Sequence, residues 1–214
     1  MAAKAKDPKR VGDFWTRKAR QEHYPARSVY KLEEVDQKFR LLGPGGRVLD
    51  LGAAPGSWMR YAAGRVGEGG RVVGLDLAPI TIRLTAAMRF LQVDVFEVSP
   101  SLFDGDGPFD AVLSDLAPAT TGVKTTDQAR SLALAHGAWL LAQEVLRPGG
   151  SFFVKVFEGP DVAAHFRELA SAFETVRRVK PKSSRRISPE IFLLGLKYKG
   201  KGGQEPFSVV RSGK

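Results

Sequence analysis

Between residues 47 and 157 the chain repeats one pattern: a short apolar run ends in a polar residue, and a glycine- or proline-rich break or a stretch of helical spacing follows. That alternation predicts parallel strands joined by helices that cover both faces of one sheet. Strands are expected at 47–51, 71–76, 90–94, 109–115 and 151–157, with two more at 175–180 and 191–198 joined by a basic loop. Helices are expected over 58–66, 126–145 and 162–173, and from a cap at Ser28 to Phe39. Leu42-Gly43-Pro44-Gly45-Gly46 and Arg147-Pro148-Gly149-Gly150 supply the stops. Before Arg27 only a short helix from Asp13 is suggested. The expected fold class is α/β, with seven strands in a mostly parallel sheet, and 214 residues suit one such domain.

In an open α/β sheet, ligands bind outside the carboxyl ends of the strands. The polar residues there are Gly52, Asp76, Asp94, Asp115 and Lys155. The first loop, Asp50-Leu51-Gly52-Ala53-Ala54-Pro55-Gly56-Ser57-Trp58, lets backbone approach a ligand closely, yet it lacks the three-glycine dinucleotide pattern. Asp76 stands where a carboxylate grips both hydroxyls of an adenosine ribose, and Asp94 is placed to accept from an adenine amine. Asp50 suits a ligand with positive charge. An adenosine with a cationic end and no phosphate fits S-adenosylmethionine better than a nicotinamide dinucleotide. Gly52 and Gly56 by themselves fit an ordinary strand-to-helix turn equally well.

Lys155 interrupts Phe152-Phe153-Val154-Lys155-Val156-Phe157, a run that otherwise reads as a buried strand. Burying an ammonium is costly unless it is paired, and a desolvated lysine can serve as a general base. The competing reading is a lysine snorkelling from the strand end to water. A partner is available in Asp115, expected at a neighbouring strand end.

Charge points to the kind of partner. Residues 1–31 hold nine basic and three acidic residues, residues 177–214 hold eleven and two, and the stretch between holds thirteen and eighteen. An acidic body with two basic ends suits a polyanion held by the termini. Lys4 to Lys18, Arg20, Arg27, Lys180, Lys182, Arg185 and Arg186 are candidate phosphate contacts. Phe14, Trp15 and Tyr24 either stack on an unpaired base or pack the arm onto the domain. The expected organisation is a basic RNA-contacting arm over 1–27, a catalytic domain over 28–199 and a flexible basic tail over 200–214. The absence of cysteine excludes disulfides, thiolate metal sites and cysteine nucleophiles. His23, His136 and His165 show no ligand spacing, so no metal is expected. No apolar run approaches about 18 residues and no secretory signal stands at the N-terminus, so a cytoplasmic protein with no membrane partner is expected.

Four stretches in order carry a resemblance: Ala26-Arg27-Ser28-Val29-Tyr30-Lys31-Leu32, the loop from Asp50 to Trp58, Ser114-Asp115-Leu116-Ala117-Pro118, and Pro148-Gly149-Gly150 running on to Phe157. Over residues 14–199 the chain resembles the RlmE/FtsJ family of RNA ribose 2′-O-methyltransferases. The resemblance implies a Rossmann-like class I methyltransferase domain and a Lys-Asp-Lys-Glu tetrad at Lys31, Asp115, Lys155 and Glu190. The last of these matches through Ser183-Ser184-Arg185-Arg186-Ile187-Ser188-Pro189-Glu190. The family's cofactor pattern falls on Gly56, Trp58, Asp76, Asp94 and Asp115, in a loop that also offers Gly52 and Pro55. Ser57 departs from the second glycine of many relatives.

The implied reaction moves a methyl group from S-adenosylmethionine to the ribose 2′-hydroxyl of a uridine in large-subunit (23S) ribosomal RNA, on the assembling or assembled 50S subunit, by a monomer. Lys155 would be the base or orienting amine, Asp115 its positioner, and Lys31 and Glu190 the holders of the ribose. Without the resemblance, Lys31 reads as a solvated helix residue and Glu190 as a partner for Arg185 or Arg186. A tRNA anticodon-loop ribose methyltransferase is the alternative within the superfamily. From other classes come a nicotinamide-dependent oxidoreductase, opposed by the missing third glycine, and a non-catalytic RNA-binding assembly factor, opposed by the intact tetrad.

Overall fold

The computed structural model describes residues 8–185 and 187–201, with side chains from Phe14 onward. The basic side chains before Phe14, Arg186 and residues 202–214 of the tail lie outside the described residues. In chain order the elements are α1 (Pro8–Gln21), α2 (Val29–Phe39), β1 (Arg47–Leu51), α3 (Ser57–Val66), β2 (Arg71–Asp76) and β3 (Met88–Gln92). Two short 3-10 turns, Val95–Glu97 and Pro100–Phe103, precede β4 (Phe109–Ser114). Then come α4 (Lys124–Val145), β5 (Leu146–Phe157), α5 (Val162–Ala172), β6 (Phe173–Val179) and β7 (Glu190–Tyr198).

The seven strands form one sheet in the order β3-β2-β1-β4-β5-β7-β6. Strands β1 to β5 pair in parallel, while β7 runs antiparallel between β5 and β6. The chain winds outward from β1 through β2 to β3 and restarts on the other side at β4, so strand order reverses between β1 and β4. A reversal of this kind opens a crevice at the carboxyl ends of the two strands.

Each face of the sheet carries its own core. On one, Leu49, Leu51, Val73, Phe152 and Val154 meet α4 and α5, centred on Trp139, whose ring lies 5.4 to 5.9 Å from those of Phe152, Phe173 and Tyr198. On the other, Val48, Val72, Leu113, Phe153 and Phe192 meet α2 and α3, and Trp58 stacks on Phe153 at 5.6 Å. Burying each of these large rings contributes about 1.5–3 kcal/mol. The near-continuous apolar sequence of the central strands follows from this two-sided burial.

Several boundaries differ from the sequence expectation. Strand β3 lies two residues earlier than expected, because Asp94 accepts the Phe96 N–H through its side chain and turns the chain into a 3-10 turn. Ser28 does not cap α2 with its side chain; it sits in the right-handed helical region with helix-type turns already running through it. Helix α1 is longer than the short helix expected from Asp13.

A buried carboxylate ties α2 to α3. Asp36, 1% exposed, accepts from Leu42 N–H at 2.8 Å, Tyr61 Oη at 2.8 Å and Arg65 Nε at 2.7 Å. Asp36→Ala leaves the Leu42 N–H and the Tyr61 hydroxyl without their acceptor and breaks the contact to Arg65, so a loss of about 3 kcal/mol is expected. Urea unfolding monitored by circular dichroism measures it, and a loss below about 1 kcal/mol contradicts the account.

Candidate active site

Lys155 is placed on β5 by the strand alternation, on the face that also carries Phe153, and is 6% exposed. Its Nζ lies 2.9 Å from Oδ1 of Asp115 and donates to the Asp115 carbonyl oxygen at 2.6 Å. Asp115 stands one residue past β4, its backbone N–H bonded to the Leu51 carbonyl at 3.1 Å, which fixes it beside β1 at the crevice. Lys31, on the inward side of α2, donates to Oε2 of Glu190 at 2.8 Å and reaches to 4.0 Å from Asp115 Oδ1. Glu190 opens β7, directly opposite Phe157 on β5. The four side chains therefore form one alternating chain of charge, Glu190–Lys31–Asp115–Lys155, each 6 to 17% exposed. Burial pushes the Glu190 carboxyl up, but the charge and hydrogen bond of Lys31 and the charge of Lys155 outweigh it and hold the group below the usual carboxylate range.

Beside this chain runs a cleft of about 540 Å³ lined by Gly52, Asp76, Asp94, Asp115, Phe96 and Leu116, among others. Its polar wall is made of carboxylates. Asp76 is held by the backbone N–H groups of Ala54 and Ala78, each at 2.8 Å, on separate oxygens. Every oxygen keeps a lone pair for a further donor. Gly52 has φ of 80°, and a Cβ there would stand 3.0 Å from the Leu116 backbone N, so only glycine keeps this wall open.

Three other residues expected at the cofactor site do not line this cleft. Pro55 and Gly56 shape the turn, with Gly56 closed against Ile82. Trp58 is 3% exposed in the core beneath, its indole N–H donating to the Ser28 carbonyl at 2.9 Å. Asp50 is also beneath the cleft, fully buried. Burial first, then the charges of Asp115 and Asp76, push its pKa well above the ordinary carboxyl range.

Two arrangements had no signal in the sequence pattern. Ser57 Oγ accepts the Ala26 N–H at 2.8 Å, and Arg27 donates to the Ser183 carbonyl at 2.5 Å. Together they clamp the segment before Lys31 to the cofactor loop and to the loop before Glu190. Among the interleaved aromatics, Trp15 and Tyr24 pack on Tyr30 at 5.0 and 6.5 Å, while Phe14 remains 52% exposed. Among the described residues no group of three or more His, Asp or Glu is gathered to hold a metal ion, and no helix is long and apolar enough to cross a membrane.

A carboxylate-lined crevice at the switch point, with no lysine or arginine in its wall to meet a phosphate, accepts an adenosine with a cationic end. Fold and site together are those of a class I methyltransferase with S-adenosylmethionine as methyl donor. Residues 24–198 match the FtsJ-like methyltransferase family, and the chain belongs to it. A protein of Nitratidesulfovibrio vulgaris named ribosomal RNA large subunit methyltransferase E is 50% identical over 196 residues, covering 90% of this chain and 98% of that one. One of the same name from Sorangium cellulosum is 46% identical, covering 94% and 95%. A Plasmodium falciparum crystal structure provisionally described as a ribosomal RNA methyltransferase superposes with a TM-score of 0.73 at 26% identity, over 83% of this chain and all of that one.

A carboxyl whose pKa is raised by folding binds its proton more tightly in the native state, so it costs stability as pH climbs above its unfolded value. Asp50→Asn removes that cost. The variant is expected to lose part of the downward slope of unfolding free energy above about pH 4, measured by urea titration across pH. An unchanged slope contradicts the burial argument.

Proposed function

We propose that this methyltransferase modifies the ribose 2′-hydroxyl of a uridine in large-subunit (23S) ribosomal RNA, acting in the cytoplasm as a monomer on the assembling or assembled 50S subunit. The observation that carries the reading is the Glu190–Lys31–Asp115–Lys155 chain opening beside the carboxylate-lined cleft. Bound S-adenosylmethionine supplies an electrophilic methyl group. Gly52, Asp76, Asp94 and Asp115 would hold it, with Pro55 and Gly56 shaping the loop and Trp58 supporting it from below.

A ribose hydroxyl is a weak nucleophile, so its proton must be taken or shared as the new bond forms. In its neutral form the Lys155 amine would orient the hydroxyl and take its proton, becoming the ammonium that Asp115 pairs, as the oxygen–methyl bond forms and the donor's sulfur–methyl bond breaks. Asp115 fixes that amine through two contacts, to carboxylate and to carbonyl, leaving one direction open to the substrate. Glu190 and Lys31 lock each other and bind the neighbouring ribose oxygens. The basic arm over 1–27 and the basic tail over 200–214 grip phosphate around the central domain. The names of the two similar bacterial proteins support ribosomal RNA over transfer RNA as substrate.

Labelled S-adenosylmethionine offered with naked ribosomal RNA, undermethylated large subunits and bulk transfer RNA tests the substrate. Label in alkali-resistant dinucleotides from ribosomal RNA is expected, and label confined to transfer RNA overturns the assignment. Lys155→Ala should lower turnover by about 10²–10⁴-fold. Binding of the donor, measured by calorimetry, should change little. Retained turnover would remove Lys155 from the role of base.

A further inference from the structure

At the β6 edge of the sheet, α2, α5 and β6 line a groove of about 550 Å³. Its rim carries Lys38, Arg177, Arg178 and Lys180, and the rings of Phe39 and Phe166 are half-buried in its wall. Within the groove Glu34 is the one acidic residue, and its Oε2 is occupied by the Lys182 backbone N–H at 2.7 Å. Arg178 is paired with Glu158 at 2.9 Å. Lys38 and Arg177 are exposed and meet no carboxylate within 4.0 Å among the described residues. Two uncompensated cations in a concave, aromatic-walled channel raise the local concentration of polyanions.

The upper end of the groove lies close to the active site. Val179 of β6 pairs with Phe192 of β7, which pairs with Lys155 of β5. Strands are spaced about 4.8 Å apart, so the upper end of the groove lies about 10 Å from the catalytic lysine. Lys180 Nζ donates to the carbonyl of Ser188, two residues before Glu190, at 3.0 Å. The loop that presents Glu190 is thus fastened to the groove's upper lip.

We infer that this groove is a second contact surface for the RNA substrate, which takes the strand flanking the target nucleotide through phosphate contacts at Lys38, whose ammonium lies over the Phe39 ring, and at Arg177. The inference rests on the reading of the substrate as RNA. A simpler role exists for cations on β6: charge at an exposed sheet edge blocks pairing with another chain. The two roles separate by charge sign, because an acidic side chain protects an edge as well as a basic one does but repels phosphate.

The test compares wild type, the double variants Lys38→Gln/Arg177→Gln and Lys38→Glu/Arg177→Glu, and each pair of substitutions in a Lys155→Ala background. The substrate is undermethylated large subunits. Both positions are exposed, and unchanged calorimetric binding of S-adenosylmethionine establishes that each variant is folded. The glutamate pair should raise KM for subunits at least about tenfold and leave kcat within about twofold, since neither side chain touches the reacting atoms. In filter binding with the Lys155→Ala background, the glutamine pair should lower the slope of log affinity against log salt by about two, one for each lost phosphate contact. An unchanged KM and slope overturn the groove while leaving the methyl transfer intact. If no RNA is methylated, the filter-binding slope still decides whether the groove holds RNA, and an unchanged slope there overturns it too.

Discussion

An ammonium set into the middle of a sheet has to be compensated where it stands, and this requirement organises the upper half of the molecule. Lys155 cannot reach water along a strand flanked by β4 and β7, so a carboxylate must come to it. Asp115 comes from β4, and a carboxylate shared by Lys155 and Lys31 draws the second cation into line. Lys31 then needs Glu190 to complete the balance. The sequence Glu–Lys–Asp–Lys alternates in sign, so each buried charge has an opposite neighbour. The outcome is a row of pre-oriented, largely buried polar groups, which act with little reorganisation of their surroundings.

The layout of strands and helices was legible because two-sided burial writes long apolar runs and because glycine and proline mark the breaks. Strand ends at Gly52, Asp76 and Asp115 were readable for the same reason, a polar residue closing an apolar run, and Lys155 stands out because it interrupts one. Misplacement arose where a local hydrogen bond overrode the apolar pattern. Val93 is apolar enough to extend β3, yet the side chain of Asp94 captures the Phe96 N–H and ends the strand first. Ser28 looked like a cap, but helical turns from Ala26 run through it and its carbonyl serves Trp58.

Lys31 and Glu190 show a different limit. Each sits in a local sequence that suits an exposed charged residue, and they meet across 159 positions of chain. Spacing rules describe neighbours on one helix or strand and are silent about such pairs, so only the resemblance to a family drew attention to them. Trp58 went the other way: its place in the motif suggested contact with the ligand, whereas its ring is a core element stacked on Phe153. The aromatic cluster of Trp15, Tyr24 and Tyr30 likewise belongs to packing, and it attaches α1 to the domain.

The strand that completes the site is the last along the chain among the described residues. β7 is threaded between β5 and β6, and it brings both Glu190 and Phe192 into a sheet whose other strands are already in sequence behind it. One strand therefore serves two ends at once: Glu190 holds Lys31 at the crevice, and Phe192, fully buried, stacks on Phe153 in the core. A change that loosens β7 reaches the charged row and the packing beneath it together.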